Sequence, residues 1–224
     1  MKKNKVLVVA VHPDDETLGC GGTLLRHRQA GDEIIWLIVT CMKREDGFTS
    51  EQIKERDGQI QAVGRKLGVA EIVSLDISAV KVDRVPMSEL IGSVAKVFKK
   101  INPTILYLPF RGDVHSDHRK FFDAVFSCTK SFRFPSIRKV LMMETISETE
   151  FAPSIPSDAF VPNHFVDVSK FLAKKLEIMK IYKSELGKHP FPRSIENIKA
   201  LATFRGAMAG CRYAESFMLL KEIV

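Results

Sequence analysis

Runs of consecutive apolar residues alternate along the chain with segments of helical period. The first run is Val6-Leu7-Val8-Val9-Ala10-Val11, followed by a helical segment over residues 17–30 that Gly31-Asp32 ends. A second run covers 33–40. After a polar loop through Asp46-Gly47, Thr49 with Gln52 three residues on predicts a capping box, opening a helix that Gly68 closes after Leu67. A short strand over 71–75 comes next. Ile91, Val94, Ala95 and Phe98 then share one helical face, and Asn102-Pro103 stops that helix before a strand beginning at Thr104. Phe121, Phe122, Val125 and Phe126 mark one side of a further helix, and 138–144 reads as a strand. Over 145–163 neither period holds, because three prolines, two phenylalanines and several serines interrupt it. That segment predicts a long loop, suited to a lid or an oligomer contact. Beyond it lie a short run at 164–168, a helix capped by Ser169 with Leu172, Leu176 and Met179 facing inward, a helix over 194–205 and a closing edge strand over 216–220.

Such alternation predicts an α/β fold, a Rossmann-like three-layer sandwich around a mostly parallel central sheet. At 224 residues, 45% hydrophobic and 27% charged, the chain suits one domain spanning 1–224. Cys20, Cys41, Cys128 and Cys211 are widely spaced without a C-x-x-C pair, and no secretory leader is evident. This predicts reduced thiols and a cytoplasmic protein. The longest apolar stretches, such as 34–41 with Trp36, fall far short of the roughly 20 residues a membrane-spanning helix needs. A net charge of +7 and a pI near 9.2 suit nucleic acid, an acidic surface or an anionic small molecule alike.

Chemistry concentrates at two strand ends. After the first run comes His12-Pro13-Asp14-Asp15-Glu16, one imidazole and three carboxylates within five residues. Neighbouring carboxylates repel and resist desolvation unless a positive charge compensates, and a divalent metal is the natural candidate. The run at 104–110 leads to Asp113-Val114-His115-Ser116-Asp117-His118. In doubly wound folds both clusters would sit outside the carboxyl ends of parallel strands, where ligands bind. A catalytic zinc takes three protein ligands from His, Asp or Glu and leaves a position for water. Acids and histidines at helix termini would account for one acid per helix. They do not account for a histidine with three acids.

The run Ala10-Val11-His12-Pro13-Asp14-Asp15-Glu16 with Gly19-Cys20-Gly21-Gly22 resembles the opening motif of the PIG-L/LmbE-like zinc N-deacetylases, and Asp113-x-His115-x-Asp117-His118 matches their second motif. The likeness continues at Arg56, Leu67-Gly68, Phe165-Val166-Asp167-Val168-Ser169, Tyr182-Lys183-Ser184, Arg205-Gly206 and Tyr213-Ala214-Glu215-Ser216-Phe217. It implies a zinc hydrolase that removes the acetyl group of an N-acetylated amino sugar of the GlcNAc type. By that resemblance His12, Asp15 and His118 would hold one Zn2+ per chain, Asp14 would be the general base and His115 would steady the oxyanion in protonated form. Asp117 would orient a histidine from behind. Arg56 and Asp113 are candidate substrate contacts, Arg56 weighed equally against a surface ion pair and Asp113 against a role in positioning the second motif. Glu16 reads as a hydrogen-bonding residue at the helix start. Gln59 stands where the family often has Glu, and Ile77-Ser78-Ala79-Val80 lacks an aspartate often found near the sugar site.

Arg111, Arg119 and Lys120 flank the second motif and suggest an anionic conjugate, since arginine binds phosphate or carboxylate bidentately. A homo-oligomer is expected. The runner-up activity is a zinc amidase acting on a larger N-acyl group. A dinucleotide fold is disfavoured because Gly-x-Gly-x-x-Gly is not completed and no ribose-binding acid ends the second strand. A basic nucleic-acid module lacks any recognised binding pattern, so no nucleic-acid partner is expected.

Overall fold

The computed structural model describes residues 3–79 and 81–224, so Val80 of the 77–80 stretch lies outside the described residues. In chain order the elements are β1 (Lys5–Ala10), α1 (Asp15–Ala30), β2 (Glu33–Cys41), α2 (Ser50–Leu67), β3 (Glu71–Ser78), α3 (Met87–Ile101), β4 (Ile105–Leu108), α4 (Ser116–Ser127), β5 (Lys139–Met143), β6 (His164–Asp167), α5 (Leu172–Met179), α6 (Ile195–Ala209) and β7 (Ala214–Glu222). The strands form one sheet in the order β3-β2-β1-β4-β5-β7-β6, parallel from β3 through β5, with β7 antiparallel to both neighbours. Alternate side chains of β1 feed two cores. Leu7 and Val9 meet Leu90, Val94 and Phe98 of α3 and Phe121 and Val125 of α4. Val6 and Val8 meet Leu24 of α1, Val63 and Leu67 of α2, Ile178 of α5 and Ile198 of α6. The result is the expected three-layer α/β sandwich with a mostly parallel sheet.

Local signals set the helix ends. Thr49 and Gln52 form the capping box, and Gly31, Gly68 and Asn102 end their helices with left-handed backbone. Other expectations are corrected. Helix α1 starts at Asp15, two residues early, so the acidic turn itself is its first turn. Ser169 does not cap α5, whose boundary residue is Phe171; its hydroxyl donates to Asp167 Oδ1 at 2.6 Å and accepts from the Tyr213 N–H at 3.2 Å. Phe126 faces solvent while Phe121, Phe122 and Val125 are buried. The last strand is not at the edge: β7 inserts between β5 and β6, leaving short β6 outermost.

Two features position the site. The strand order turns back between β1 and β4, whose register pairs Val6 with Ile105 and Val8 with Tyr107, so their carboxyl ends open side by side. Helix α1 also breaks at Cys20, where φ is −148°. The break leaves N–H groups without intrahelical acceptors, and Glu215 takes two of them, Gly22 N at 2.9 Å and Thr23 N at 2.7 Å. Lys175 Nζ, buried, donates to the Leu18 carbonyl and to Glu215, both at 2.7 Å. Gly22 permits this approach, since a Cβ there would lie 2.8 Å from Val168.

Candidate metal and catalytic site

The turn after β1 is knotted by Glu16. Its Oε2 accepts the Asp14 N–H at 3.1 Å, and its Oε1 accepts from Thr17 Oγ1 at 2.6 Å and Tyr182 Oη at 3.1 Å. Burial raises this carboxyl to about 7. Asp14 adopts φ 145°, a sparsely populated conformation for a residue with a side chain, of the kind that costs about 1–3 kcal/mol and clusters at functional sites. Burial, then the carboxylates of Asp15, Glu185 and Glu16, raise Asp14 well above the ordinary range.

The two strand ends bring His12, Asp15 and His118 together. His118 Nε2 lies 3.3 Å from Asp15 Oδ2 and 3.4 Å from His12 Nδ1, and the three residues could hold a metal ion. His12 is also grouped with His115 and Asp117, its Nε2 standing 3.5 Å from Asp117 Oδ2. The first set is the better backed. His118 Nδ1 meets Asp113 Oδ2 at 2.8 Å, leaving Nε2 to face His12 and Asp15. Burial would raise Asp15, but His118 and then His12 bring it down to about 2. Burial would lower His118, and Asp15 and Asp113 hold it well above the ordinary imidazole range. Without metal, a proton on His118 answers the acids.

Several expected roles change with these contacts. Asp113 is fully buried with both oxygens occupied, Oδ2 by His118 and Oδ1 by Thr149 Oγ1 at 2.7 Å, so it stands behind His118 instead of meeting substrate. Asp117 faces His12 across the longer 3.5 Å separation. Arg56 is no surface ion pair: it is buried, donates to the Pro13 carbonyl at 3.0 Å and pairs with Glu185, bracing the acidic turn. His115 is held toward the neutral form, not the protonated one expected. Its Nδ1 accepts the Asp117 N–H at 3.2 Å at the start of α4, and burial together with His12 and His118 lowers it to about 4. With Nδ1 accepting, a neutral ring carries its proton on Nε2.

Beside His12, Asp14, Asp15, Leu18 and His115 opens a cavity of about 180 Å³ whose remaining wall the sequence did not disclose: Thr145, Ser147, Glu148, Glu185 and Arg193. Arg193 donates to Ser147 Oγ and the Glu185 carbonyl, each at 2.9 Å. Burial raises Glu148. Part of loop 145–163 is thus a wall of the site. Arg111, Arg119 and Lys120 are not among the lining residues: Arg119 donates to the carbonyls of Asp113 and Val114, Lys120 to that of Asp83, and Arg111 is exposed.

Residues 7–129, over half the chain and spanning both clusters, match the PIG-L family, described as GlcNAc-PI de-N-acetylase. The chain belongs to the PIG-L family. Diacetylchitobiose deacetylase of Thermococcus kodakarensis is 27% identical to this PIG-L chain, over 98% of the chain and 84% of that relative. Among solved structures, a conserved protein of Thermus thermophilus is 25% identical with a TM-score of 0.76, over 99% of this chain and 96% of its own. The 4-carboxy-2-hydroxymuconate hydratase of Pseudomonas putida KT2440 shares the fold at 18% identity and a TM-score of 0.68, covering 99% and 98%. No helix among the described residues of this PIG-L protein is long and apolar enough to cross a membrane.

Proposed function

We propose that this PIG-L protein is a zinc-dependent hydrolase that removes the acetyl group from an N-acetylated amino sugar, releasing acetate and a free amine. A hydratase on the same fold means that the fold alone does not decide the chemistry. The observation that carries the proposal is the meeting of His12, Asp15 and His118 beside the buried carboxyl group of Asp14 in a family of de-N-acetylases. Zinc bonds of about 2.0–2.1 Å in a tetrahedral set hold ligand atoms about 3.3 Å apart. The separations of 3.3 and 3.4 Å around His118 Nε2 suit that spacing, and two imidazoles with one carboxylate are a donor set zinc favours.

When bound, zinc acidifies water and polarises a carbonyl oxygen. Asp14, backed by burial and acidic neighbours, is the group to take a proton from the attacking water and return it to the departing nitrogen. His115, fixed by the Asp117 N–H, offers Nε2–H to the oxygen that gains charge as the amide carbon becomes tetrahedral. A neutral imidazole at a helix N-terminus is suited to that donation. Glu148, Ser147 and Arg193 supply polar partners for sugar hydroxyls at the opening.

An uncharged substrate fits better than the anionic one expected. The cavity wall carries Asp14, Asp15, Glu148 and Glu185, and the arginines nearest them, Arg56 and Arg193, are both bound to Glu185. On this reading residues 1–224 form one domain and work in a cytoplasmic setting. It includes self-association, with Phe151, Ile155 and Val161 of loop 145–163 exposed for contact; sedimentation velocity reports that directly. The central test is acetate release from N-acetylglucosamine and its short oligomers by protein as purified, stripped with a chelator, and reloaded with zinc. Loss on stripping and recovery on reloading are expected. Equal rates with and without metal, or no release from any N-acetyl amino sugar, would overturn the assignment.

A further inference from the structure

Sharing His12, Asp14 and Glu185 with the catalytic cavity is a second hollow of about 190 Å³, which the mechanism above does not use. The end of β2, the following loop, α2 and the end of β3 enclose it. Its walls are Met42, Phe48, Ile53, Ile60 and Ala79, all half-buried, with Cys41 beside them. Deeper in the sheet, the β2 side chains Ile34 to Val39 are buried. The chain thus leaves apolar surface wet in a concavity at the catalytic carboxylate, where a ligand's apolar group would recover about 25 cal/mol per Å² covered.

The cation in its wall is answered within the protein. Arg56 lines the hollow at 7% exposure, and Glu185 answers its charge. Its Nε finds no hydrogen-bond partner among the described residues, although its two terminal nitrogens are bonded. Thr40 and Asp57 also line the hollow, and its five apolar walls call for a ligand with an apolar body. A water-sized group needs only about 10–15 Å³ of such space. The methyl of an acetyl group would leave most of the hollow unfilled.

We infer that this hollow binds an apolar group of the amide substrate larger than the acetyl methyl. The inference rests on the amide-hydrolase reading of the adjoining site. The apolar group has two possible sources, the acyl chain itself or an alkyl aglycone on an N-acetylated sugar, and the test has an arm for each. With zinc-loaded protein, kcat/KM is measured for glucosamine carrying acetyl, butanoyl or hexanoyl on nitrogen, and for N-acetylglucosamine as methyl, butyl or hexyl glycoside. One arm should rise about three- to fourfold per methylene buried, and Ile53→Gln and Phe48→Gln should bring the hexyl-to-shortest ratio in that arm down toward one. Rates that are flat or falling with length in both arms, or a slope that survives both substitutions, would overturn the inference. Deacetylation of the shortest substrates would then continue, leaving the hydrolase reading intact. Calorimetric binding of the six compounds to Asp14→Asn protein decides the matter independently of turnover: equal affinity across both series counts against the hollow, and tighter binding of the longer members supports it.

Discussion

Replacing Asp113 with Asn separates the carboxylate that backs a metal ligand from one that touches substrate. Asp113 has no exposed surface, accepts from His118 Nδ1 at 2.8 Å and from Thr149 Oγ1 at 2.7 Å, and shares its shape with asparagine. An amide can keep its oxygen on His118 while its NH2 faces Thr149. Thr149 Oγ1 already accepts the Thr145 N–H at 2.9 Å, so its own proton is displaced, at a cost of about 1 kcal/mol in stability. The variant should fold. The larger loss is at the metal, because a neutral oxygen no longer raises the basicity of His118. Partners of ligating histidines are worth about 10- to 100-fold in affinity, or roughly 1.4–2.7 kcal/mol at 1.36 kcal/mol per decade. Hydrogen bonds to charged groups, at about 1.5–3 kcal/mol, point to the same range. Competition against a chromophoric chelator at fixed pH measures the loss. Asp117→Asn, whose contact with His12 is 3.5 Å, should lose less. The penalty should also shrink in acid, because Asp113 helps His118 hold the proton that competes with metal. Zinc affinity of Asp113→Asn within twofold of wild type, or a greater loss in Asp117→Asn, would refute the assignment.

Asp14→Asn should retain bound metal and lose at least about 10²-fold in kcat, the low end for a general base, as metal analysis beside acetate release would show. Lys175→Met leaves Glu215 buried without its cation and the Leu18 carbonyl without its donor. Destabilisation of about 3–5 kcal/mol is expected in urea unfolding, and a loss under 1 kcal/mol would contradict the account of the α1 break. Glu16 titrates at about 7 when folded, against its ordinary 4.5, so folded protein keeps a proton that unfolded chain has released. Its contribution to stability is therefore present below about pH 4.5 and is lost as pH rises through 7. Glu16→Gln should flatten the fall in stability of metal-free protein between pH 4.5 and 7.5, and parallel urea midpoints for the two proteins across that range would count against it. Because His115 enters the reaction neutral, no alkaline decline in kcat/KM should trace to it, and His115→Gln should lower the rate without moving an alkaline limb.

Much of the fold is legible in short stretches of sequence, because the rules that make it are local. The capping box at Thr49 and Gln52 and the left-handed stops at Gly31, Gly68 and Asn102 each depend on a turn's worth of chain. The apolar runs of β1, β2 and β4 reflect burial on both faces of a parallel sheet. Chain order alone placed the two acidic and histidine-rich turns at strand ends, since a parallel sheet with crossover helices puts every strand's carboxyl end on one side. What tertiary structure decided are pairings between residues far apart in the chain. No local pattern says that β7 enters between β5 and β6, or that Glu215 closes a break in α1 that Lys175 also serves. Nor could spacing tell which acid of the second motif stands behind which histidine, because side-chain direction at a helix start depends on how α4 meets β1. Arg56 finds Glu185, and Glu148 and Arg193 line the same cavity as Asp14, only because the loop after β5 and the segment before α6 fold over the end of β1. Residue types and periodicity determine which chemistry is available and at which edge of the sheet. The packing of distant segments determines which oxygen or nitrogen each group meets, and so which groups are left free to bind metal and substrate.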